Sequence, residues 1–459
     1  MAAVAIDMAR EGFRVTGSDS QFYPPMSDLL RPSQVGLSHQ FDPSNLPQIG
    51  LIVVGNAVSR GNVELEEALN LNLPLISLPE LIRYHYLPGK RSLVVTGTHG
   101  KTTTTSMATH VYRTLGLEPG WMIGGDPVDL PFSCFKGDGD CFVIEGDEYD
   151  TAWFDKRPKF LLYRPYYAIL TSIEFDHSDI YANIGEIEAV FRRFVGLLPA
   201  SGSLVCYGDN GLVKEVTGST RAKVITYGTT ESCDWRIDDV TSEGASGAVG
   251  KVTSPDGRGY DLRLNVSGTH NLLNGLAVLA HAVEAGLDAL EVLRALGSFQ
   301  GVARRLQKIA EGGGVILYDD FAHHPTAIKT TLEAVRHRHP GATIKALFEP
   351  RSNTMVRNYF QRELEEALSI ADRVMLGPLH RRDKIPPEQR LDVEKLVGNL
   401  KIKGIETTAL DSLEGAADNI IDSLKPGDVV VAMSNGSFGG LTGELAGRIN
   451  KRENQTNHR

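Results

Sequence analysis

The stretch from Ser92 to Thr105, SLVVTGTHGKTTTT, combines the residue types that bind phosphate. A β-branched apolar segment leads into a glycine turn, a lysine and four consecutive threonines. A strand that ends in glycine and continues into a helix presents unpaired backbone N–H groups to an anion. Lys101 is placed to reach the β- and γ-phosphates of a nucleotide, and the Thr102 hydroxyl is placed to bind Mg²⁺.

The spacing departs from the general phosphate-loop pattern, because G-T-H-G-K-T is shorter than G-x-x-x-x-G-K-[ST]. For G-K-T alone, a solvent-facing lysine at a helix start is an equal alternative. The apolar segment before the loop and the helical pattern after it favour phosphate binding. We expect the nucleotide to contact the whole loop, namely Gly97, Thr98, His99, Gly100, Lys101, Thr102 and Thr103.

Acidic and imidazole side chains follow two further apolar segments: Glu145, Asp147, Glu148 and Asp150 in VIEGDEYD, and Asp176, His177 and Asp179 in EFDHSD. Taken separately, each cluster is more simply explained as a solvated turn. Beside a phosphate loop, the two together indicate the ligand-binding edge of an α/β sheet. A carboxylate at such a strand end can hold Mg²⁺ beside the γ-phosphate.

Strand and helix patterns alternate along the chain, which favours parallel sheets covered by helices on both faces. The predicted strands include FRVTGSD, GLIVVGNAV and LPLISL, then SLVVTG, CFVIEGDEYD, SLVCYGD and KVITYG, then VILYDDF, ATIKALFEP, DRVMLGPL and DVVVAMSNG. Turns near HYLPGKR and FQGVARRLQ separate three units. The predicted fold class is α/β with three domains, over residues 1–90, 91–298 and 299–459.

Composition excludes several functions. The 459 residues carry a net charge of −10, which argues against nucleic-acid binding, because that needs a basic surface. The four cysteines have no C-x-x-C spacing, so neither a zinc site nor a disulfide framework is indicated. No apolar run is long enough for a membrane helix. We expect a cytoplasmic protein without a membrane or nucleic-acid partner.

The motifs GTHGKT, EGDEYD, EFDHSD, GTHNLLN, RRLQ and DDFAHHPT occur in the order found in the Mur ligase superfamily, the ATP-dependent ligases of bacterial peptidoglycan. The resemblance covers nearly the whole chain. It implies a Rossmann-like N-terminal domain for a UDP-sugar, a central P-loop ATPase domain and a C-terminal Rossmann-like domain for a peptide. It also implies ATP and Mg²⁺, and an amide bond formed on UDP-N-acetylmuramate through an acyl phosphate.

Four segments resemble the branch that recycles peptidoglycan: GSDSQFYPPMSDLL, DEYDTAWFDKRPKF, FEPRSNTM and MSNGSFGG. That branch joins UDP-N-acetylmuramate to the murein tripeptide L-Ala-γ-D-Glu-meso-diaminopimelate. Two alternatives stay open: the biosynthetic branch that adds L-alanine, and an ATP-binding protein made inactive by a truncated first domain. A folylpolyglutamate-type ligase is disfavoured, because it lacks the N-terminal unit.

The resemblance also implies roles for single residues. The catalytic group would be Lys101, Glu145 and His177, with Thr102 and Glu145 on one Mg²⁺ and His177 on a second. The nucleotide would further contact Asn271, Asn274, Arg304 and Asp319. Without the resemblance, Asn271 would be interpreted as part of a helix start and Arg304 as a surface arginine.

Substrate contacts follow from the same resemblance. Asp19 would meet the UDP moiety, and His323 and His324 would line the nucleotide cleft at a helix start with Pro325 at its first position. Arg351 would bind a peptide carboxylate bidentately. A buried pair between Arg351 and Glu349 is the alternative. The glycine-rich turn after DVVVAM would allow close approach of backbone to substrate.

The start of the sequence departs from the family pattern. The family begins with an apolar strand and a glycine-rich turn that cradles the UDP pyrophosphate, whereas MAAVAIDMAR reads as the helix after that turn. Either the strand lies upstream of the sequence given, or the first domain is compromised. We expect the first.

Overall fold

The computed structural model describes residues 1–22, 26–46, 49–244 and 247–456. Short strands and helices alternate in the first ninety residues: α1 (Ala2–Arg10), β1 (Thr16–Ser18), α2 (Met26–Leu30), β2 (Gly36–Ser38), β3 (Ile52–Val54), α3 (Val63–Asn70), β4 (Leu75–Ser77) and α4 (Leu78–Leu81). These strands form two separate parallel pairs, β1 with β2 and β3 with β4. The sequence patterns did not predict β2, which is only three residues long.

The middle part of the chain is longer and richer in strands: β5 (Arg91–Thr96), α5 (Lys101–Thr114), β6 (Gly120–Met122), β7 (Cys134–Phe135), β8 (Cys141–Gly146), β9 (Asp150–Ala152), β10 (Asp155–Pro158), β11 (Pro165–Leu170), α6 (Ile184–Val195), β12 (Ser203–Tyr207), α7 (Gly211–Thr217), β13 (Lys223–Gly228), β14 (Trp235–Gly244), β15 (Gly247–Thr253), β16 (Gly259–Leu264), α8 (Thr269–Glu284) and α9 (Ala289–Ser298). A glycine- and serine-rich stretch of this part falls in β14 to β16, and residues 245–246 in it lie outside the described residues.

The last part repeats the alternation: β17 (Gln307–Gly312), β18 (Val315–Asp320), α10 (Pro325–Arg338), β19 (Thr343–Phe348), α11 (Gln361–Leu368), β20 (Arg373–Leu376), α12 (Val393–Ile402), β21 (Glu406–Ala409), α13 (Ala416–Ser423), β22 (Asp428–Met433) and α14 (Leu441–Thr456). Among the helices in the described ranges, none combines the length and the apolar character needed to cross a bilayer.

The chain divides into two compact units. The first contains Met1–Glu174, Ile184–Arg236 and Leu276–Leu296, and the second contains Phe175–Asn183, Ile237–Gly275 and Gly297–Arg459. The predicted boundaries after residues 90 and 298 therefore stay a prediction, while the predicted α/β class with parallel sheets is confirmed.

In the first unit, strands are ordered β13-β12-β11-β5-β8-β6-β7, and every pair is parallel except β6 with β7. The central strand β5 carries Leu93, Val94 and Val95, all fully buried. A strand covered on both faces needs such a continuous apolar run. The carboxyl ends of β11, β5 and β8 therefore meet at one edge of the sheet, where the phosphate loop begins.

In the second unit, the order β17-β18-β22-β19-β20-β21 is parallel except for the β17 hairpin. Side chains of β22 alternate between two cores: Val429 and Val431 pack with α10 to α12, whereas Val430 and Ala432 pack with α13 and α14. This period of two is what a sheet buried on both faces requires. The carboxyl ends of β18, β22, β19 and β20 share one edge.

Candidate active site

The loop between β5 and α5 lies against the end of β11. Gly97 has a φ of +127°, and a Cβ there would come 2.3 Å from Thr171 Oγ1 and 2.7 Å from Ser172 N. Only glycine combines that backbone conformation with such a close approach. Gly97 is therefore a turn glycine, as the sequence predicts. It packs closely against Thr171 and Ser172, the two residues that follow β11.

Polar groups after β11 hold this loop in place. Thr98 N donates to Ser172 O at 2.8 Å, and His99 N donates to Ser172 Oγ at 3.2 Å. Thr171 Oγ1 donates to His99 O at 2.5 Å. Thr171 and Ser172 were not among the predicted site residues. Two polar residues directly after an apolar strand could have indicated that they lie at the ligand-binding edge of the sheet. They keep the loop rigid before any ligand arrives.

The loop ends where α5 begins. Gly100 is the N-cap with a φ of +79°, and Lys101 is the first helical residue. The first N–H groups of a helix have no acceptor within the helix. Together with the helix dipole, they make this position suitable for phosphate.

Lys101 is held by a carboxylate that sequence analysis noticed without assigning a role. Its Nζ lies 2.9 Å from Glu148 Oε2 and 2.7 Å from Gly97 O. The two side chains are only 13% and 4% exposed. Burial lowers the pKa of Lys101, but the carboxylates around it, Glu148 first, more than offset this effect, so the pKa lies above its ordinary value. The ammonium is therefore charged where a phosphate would bind.

Thr102 and Glu145 contact each other at the start of α5. Thr102 Oγ1 donates to Glu145 Oε1 at 3.0 Å, and Gly124 N donates to Glu145 Oε2 at 2.9 Å. A hydroxyl and a carboxylate in direct contact are two hard oxygen donors of the kind that Mg²⁺ takes. These residues therefore fit the metal that the sequence predicts for them.

In the second unit, Asp176 contacts two of the predicted site residues, His177 and His323. Its Oδ1 accepts from His177 N at 2.7 Å and from Thr354 Oγ1 at 2.8 Å, and its Oδ2 lies 3.9 Å from His323 Nε2. Burial alone would raise the pKa of Asp176; the histidines around it, His177 first, outweigh burial and hold the pKa well below its usual range. His177 has a φ of +56°, an uncommon conformation for a residue with a side chain.

His324 lies at the predicted helix start. It is the N-cap of α10, its side chain accepts from Thr326 N, and Pro325 occupies the first turn. Its ring packs edge-to-face on Phe360 with centroids 4.7 Å apart. The placement of the histidine pair at a helix N-terminus is confirmed.

Arg304 makes three contacts within the second unit. Its Nε lies 3.2 Å from Asp319 Oδ2, and its Nη2 donates to Ser434 O and Gly436 O at 2.7 Å each. The guanidinium and the Asp319 carboxylate, both predicted to contact the nucleotide, thus face each other. Burial raises the pKa of Asp319, although Arg304 counteracts it.

Asn271 and Asn274 lie in the first turns of α8. Asn271 Nδ2 donates to Ser267 O at 2.7 Å, and Asn274 Nδ2 donates to Asn271 Oδ1 at 3.4 Å. The predicted helix start is confirmed, but Asn271 is the third residue of α8 rather than its N-cap, and its amide donates to the segment before the helix. These two bonds leave the Asn271 amide one N–H donor and one oxygen lone pair, which contact with an adenine edge would use.

Arg351 and Glu349 follow β19, and the predicted pair between them is present. Arg351 Nη1 lies 3.2 Å from Glu349 Oε1. The Glu349 side chain is 6% exposed, whereas 32% of the Arg351 side chain reaches solvent. The pairing interpretation is therefore right, and the exposed part of the guanidinium still allows it to take a carboxylate.

Asp19 follows β1 at the edge of a pocket of about 360 Å³ in the first unit. The lining also includes Phe41, Arg60 and Asn62. Arg60 is held by Glu66 through two hydrogen bonds of 2.9 Å each. A pocket outside the carboxyl ends of parallel strands is the usual ligand position in α/β sheets.

Three family models match the chain in sequence order. They describe the catalytic domain of the Mur ligase family over residues 1–85, the Mur ligase middle domain over residues 95–282, and the glutamate ligase domain of Mur ligases over residues 304–436.

Known proteins match over almost the full length. A UDP-N-acetylmuramate–L-alanyl-gamma-D-glutamyl-meso-2,6-diaminoheptandioate ligase from Escherichia coli (strain K12) is 37% identical over 98% of this chain and 96% of its own length. A UDP-N-acetylmuramate–L-alanine ligase from Paenarthrobacter aurescens is 35% identical over 95% of this chain and 92% of its own. The crystal structure of a murein peptide ligase from Psychrobacter arcticus is 30% identical, with a TM-score of 0.73, and covers 98% of this chain and 96% of that one. The phosphate loop, the carboxylates beside it and these matches together show that the chain belongs to the Mur ligase family.

Proposed function

We propose that this protein is an ATP-dependent ligase that joins UDP-N-acetylmuramate to L-Ala-γ-D-Glu-meso-diaminopimelate in peptidoglycan recycling. The observation that carries the proposal is the arrangement at the start of α5, where Lys101 and Thr102 each contact a carboxylate. The relative from Escherichia coli, whose printed name states this acceptor, supports the choice of substrates. The reaction takes place in the cytoplasm, on small-molecule substrates, without nucleic acid or membrane.

The first half-reaction transfers a phosphoryl group. The lactyl carboxylate of UDP-N-acetylmuramate attacks the γ-phosphate of ATP and gives an acyl phosphate and ADP. Such a transfer needs positioning and charge neutralisation more than a nucleophilic side chain. Lys101 and the N–H groups at the start of α5 neutralise the phosphates, as preorganised donors do without a further reorganisation cost.

Thr102 and Glu145 would hold one Mg²⁺, which supplies further positive charge to the phosphates. Their direct contact of 3.0 Å places two oxygen ligands side by side. His177 is assigned to a second Mg²⁺, although imidazole is an unusual ligand for so hard a cation. Asp176, which accepts from His177 N, keeps that segment in place.

The second half-reaction forms the amide bond. The α-amine of the tripeptide attacks the acyl carbon, and phosphate leaves from a tetrahedral intermediate. Arg351 binds a carboxylate of the peptide, because the exposed part of its guanidinium offers paired N–H donors that match a carboxylate. Glu349 keeps that side chain oriented through the contact of 3.2 Å.

The other predicted site residues bind the remaining parts of ATP and of UDP-N-acetylmuramate. Asn271 and Asn274 bind adenine, Asp319 the ribose, and Arg304 the phosphates. Asp19 in the pocket beside β1 contacts the UDP moiety. His323 and His324 line the nucleotide cleft. The functional domains are assigned to residues 1–90, 91–298 and 299–459.

ADP release tests the proposal. Purified protein receives ATP, Mg²⁺ and UDP-N-acetylmuramate, with either the tripeptide or L-alanine as acceptor. Turnover that requires the tripeptide supports the proposal. Absence of turnover with either acceptor, while ATP still binds, would identify a nucleotide-binding protein without ligase activity.

Addition of L-alanine is the second candidate function. The relative from Paenarthrobacter aurescens that carries this name is 35% identical, only slightly less than the Escherichia coli relative. The two functions share the phosphoryl transfer and differ only in the acceptor. Turnover with free L-alanine in the same assay would establish this second candidate.

A further inference from the structure

A short turn after β22, Ser434 to Gly436, joins two arginine side chains of the second unit. Ser434 is 2% exposed, and its backbone N donates to Asp320 O at 3.1 Å. Gly436 N donates to Ser434 Oγ at 2.9 Å. The turn is therefore fixed by its own hydrogen bonds and by the end of the neighbouring strand β18.

Glu349 fixes the turn from the side of β19. Ser434 Oγ donates a short hydrogen bond to Glu349 Oε2, and Arg351 Nη1 donates to Glu349 Oε1. The Arg351 side chain lies directly over Gly436, because a Cβ at Gly436 would come 2.2 Å from Arg351 Nε. One buried carboxylate thus sets the positions of both the guanidinium and the turn.

Arg304 also holds the turn, through its backbone carbonyl groups. Its Nη2 donates to the carbonyl oxygens of Ser434 and Gly436, and its Nε contacts Asp319. Both residues that flank Asn435 are therefore held, and the backbone around Asn435 has little freedom.

Asn435 lies between these fixed residues and has an unused polar atom. Its Oδ1 is buried and has no hydrogen-bond partner among the residues that the structure describes. Leaving a buried acceptor unsatisfied is destabilising, because the group loses its hydrogen bonds to water without replacement. Buried polar side chains are normally paired, so each exception needs an explanation, of which a missing ligand is one.

We propose that Asn435 Oδ1 accepts an N–H of the incoming peptide while Arg351 takes one of its carboxylates, with Glu349 as the positioning residue for both. An amide oxygen beside a guanidinium matches an amino-acid unit, which offers an N–H donor and a carboxylate a few bonds apart. The inference rests on the proposed function and names the part of the site that holds the acceptor.

Steady-state kinetics with the full chain test this assignment. Asn435→Ala removes the acceptor, and we expect the KM for the tripeptide to rise about five- to tenfold, the value of one hydrogen bond of roughly 1 kcal/mol or slightly more. The KM values for ATP and UDP-N-acetylmuramate should stay within about twofold, because a fold-change that small is below 0.5 kcal/mol.

Two further variants separate binding from folding. Glu349→Gln removes the charge that orients Arg351 and should raise the tripeptide KM without raising that for ATP. Asn419→Ala is the matched control, because it makes the same change at an exposed asparagine on α13 of the same unit, outside the proposed site. Thermal unfolding identifies any variant that fails to fold, and Asn435→Leu, which has a similar volume and no acceptor, then carries the same prediction as the alanine variant.

The outcomes are distinguishable from failure of the proposed function. If the wild-type protein does not use the tripeptide, the proposed function fails. If the wild-type protein uses it and Asn435→Ala leaves its KM within twofold, the inference about Asn435 is overturned.

Discussion

Removing the charge of Glu148 should destabilise the protein by leaving Lys101 buried without its partner. The side chains are 13% and 4% exposed, and Nζ contacts both carboxylate oxygens at 2.9 and 3.1 Å. Breaking such a buried pair from one side costs about 3–5 kcal/mol. Glu148→Gln keeps the shape and one oxygen acceptor, so we expect a loss near the lower end, about 3 kcal/mol.

A bound nucleotide should reverse part of this loss. The phosphates of ATP bring negative charge to Lys101 and thus replace the missing carboxylate. Chemical unfolding of wild-type protein and Glu148→Gln, with and without Mg²⁺ and a non-hydrolysable ATP analogue, measures both effects. The analogue should stabilise the variant more than it stabilises the wild-type protein.

Glu366→Gln is the control for this experiment. Glu366 pairs with Arg362 on α11, with side chains 56% and 84% exposed, so its loss should cost only about 0.3–0.5 kcal/mol with or without nucleotide. The reasoning about Glu148 is refuted if Glu148→Gln behaves like this control, or if the analogue stabilises variant and wild type equally.

Three further predictions concern the loop, a buried histidine and the metal. Gly97→Ala should weaken ATP binding and lower stability by more than Gly116→Ala, because an added Cβ would meet Thr171 in the first case and nothing within 4 Å in the second; calorimetry and thermal unfolding compare them. Burial lowers the pKa of His281 to about 3, below its ordinary 6.5, so stability is full above pH 6.5 and falls as pH drops toward 3. In His281→Gln, unfolding measured against pH should depend less on pH in that window. Glu145→Gln should raise the Mg²⁺ concentration needed for half-maximal activity about tenfold or more, since it removes a charged ligand, whereas an unchanged Mg²⁺ titration would exclude Glu145 from the metal site.

Local patterns were enough to predict the elements that position the loop. β5 and β8 are buried apolar runs, α5 begins directly after the glycine turn, and α10 begins at Pro325 after a histidine N-cap. Each of these features depends on neighbours within a few residues. That is the range over which propensity and capping act.

The partners of the site residues could not be predicted in the same way. Lys101 contacts Glu148, 47 positions away, and Arg304 contacts the carbonyl oxygens of Ser434 and Gly436, 130 and 132 positions away. These contacts depend on which strands are neighbours in the sheet. Nothing in EGDEYD alone distinguishes Glu145, which contacts Thr102, from Glu148.

In the proposed reaction, the lactyl carboxylate is activated as an acyl phosphate before the amide bond forms. UDP-N-acetylmuramate labelled with heavy oxygen in that carboxylate, with ATP, Mg²⁺ and the tripeptide, tests it in one mass-spectrometric measurement. We expect the UDP-N-acetylmuramoyl-tripeptide product together with inorganic phosphate that carries one labelled oxygen. Product formed together with unlabelled phosphate would contradict activation through an acyl phosphate.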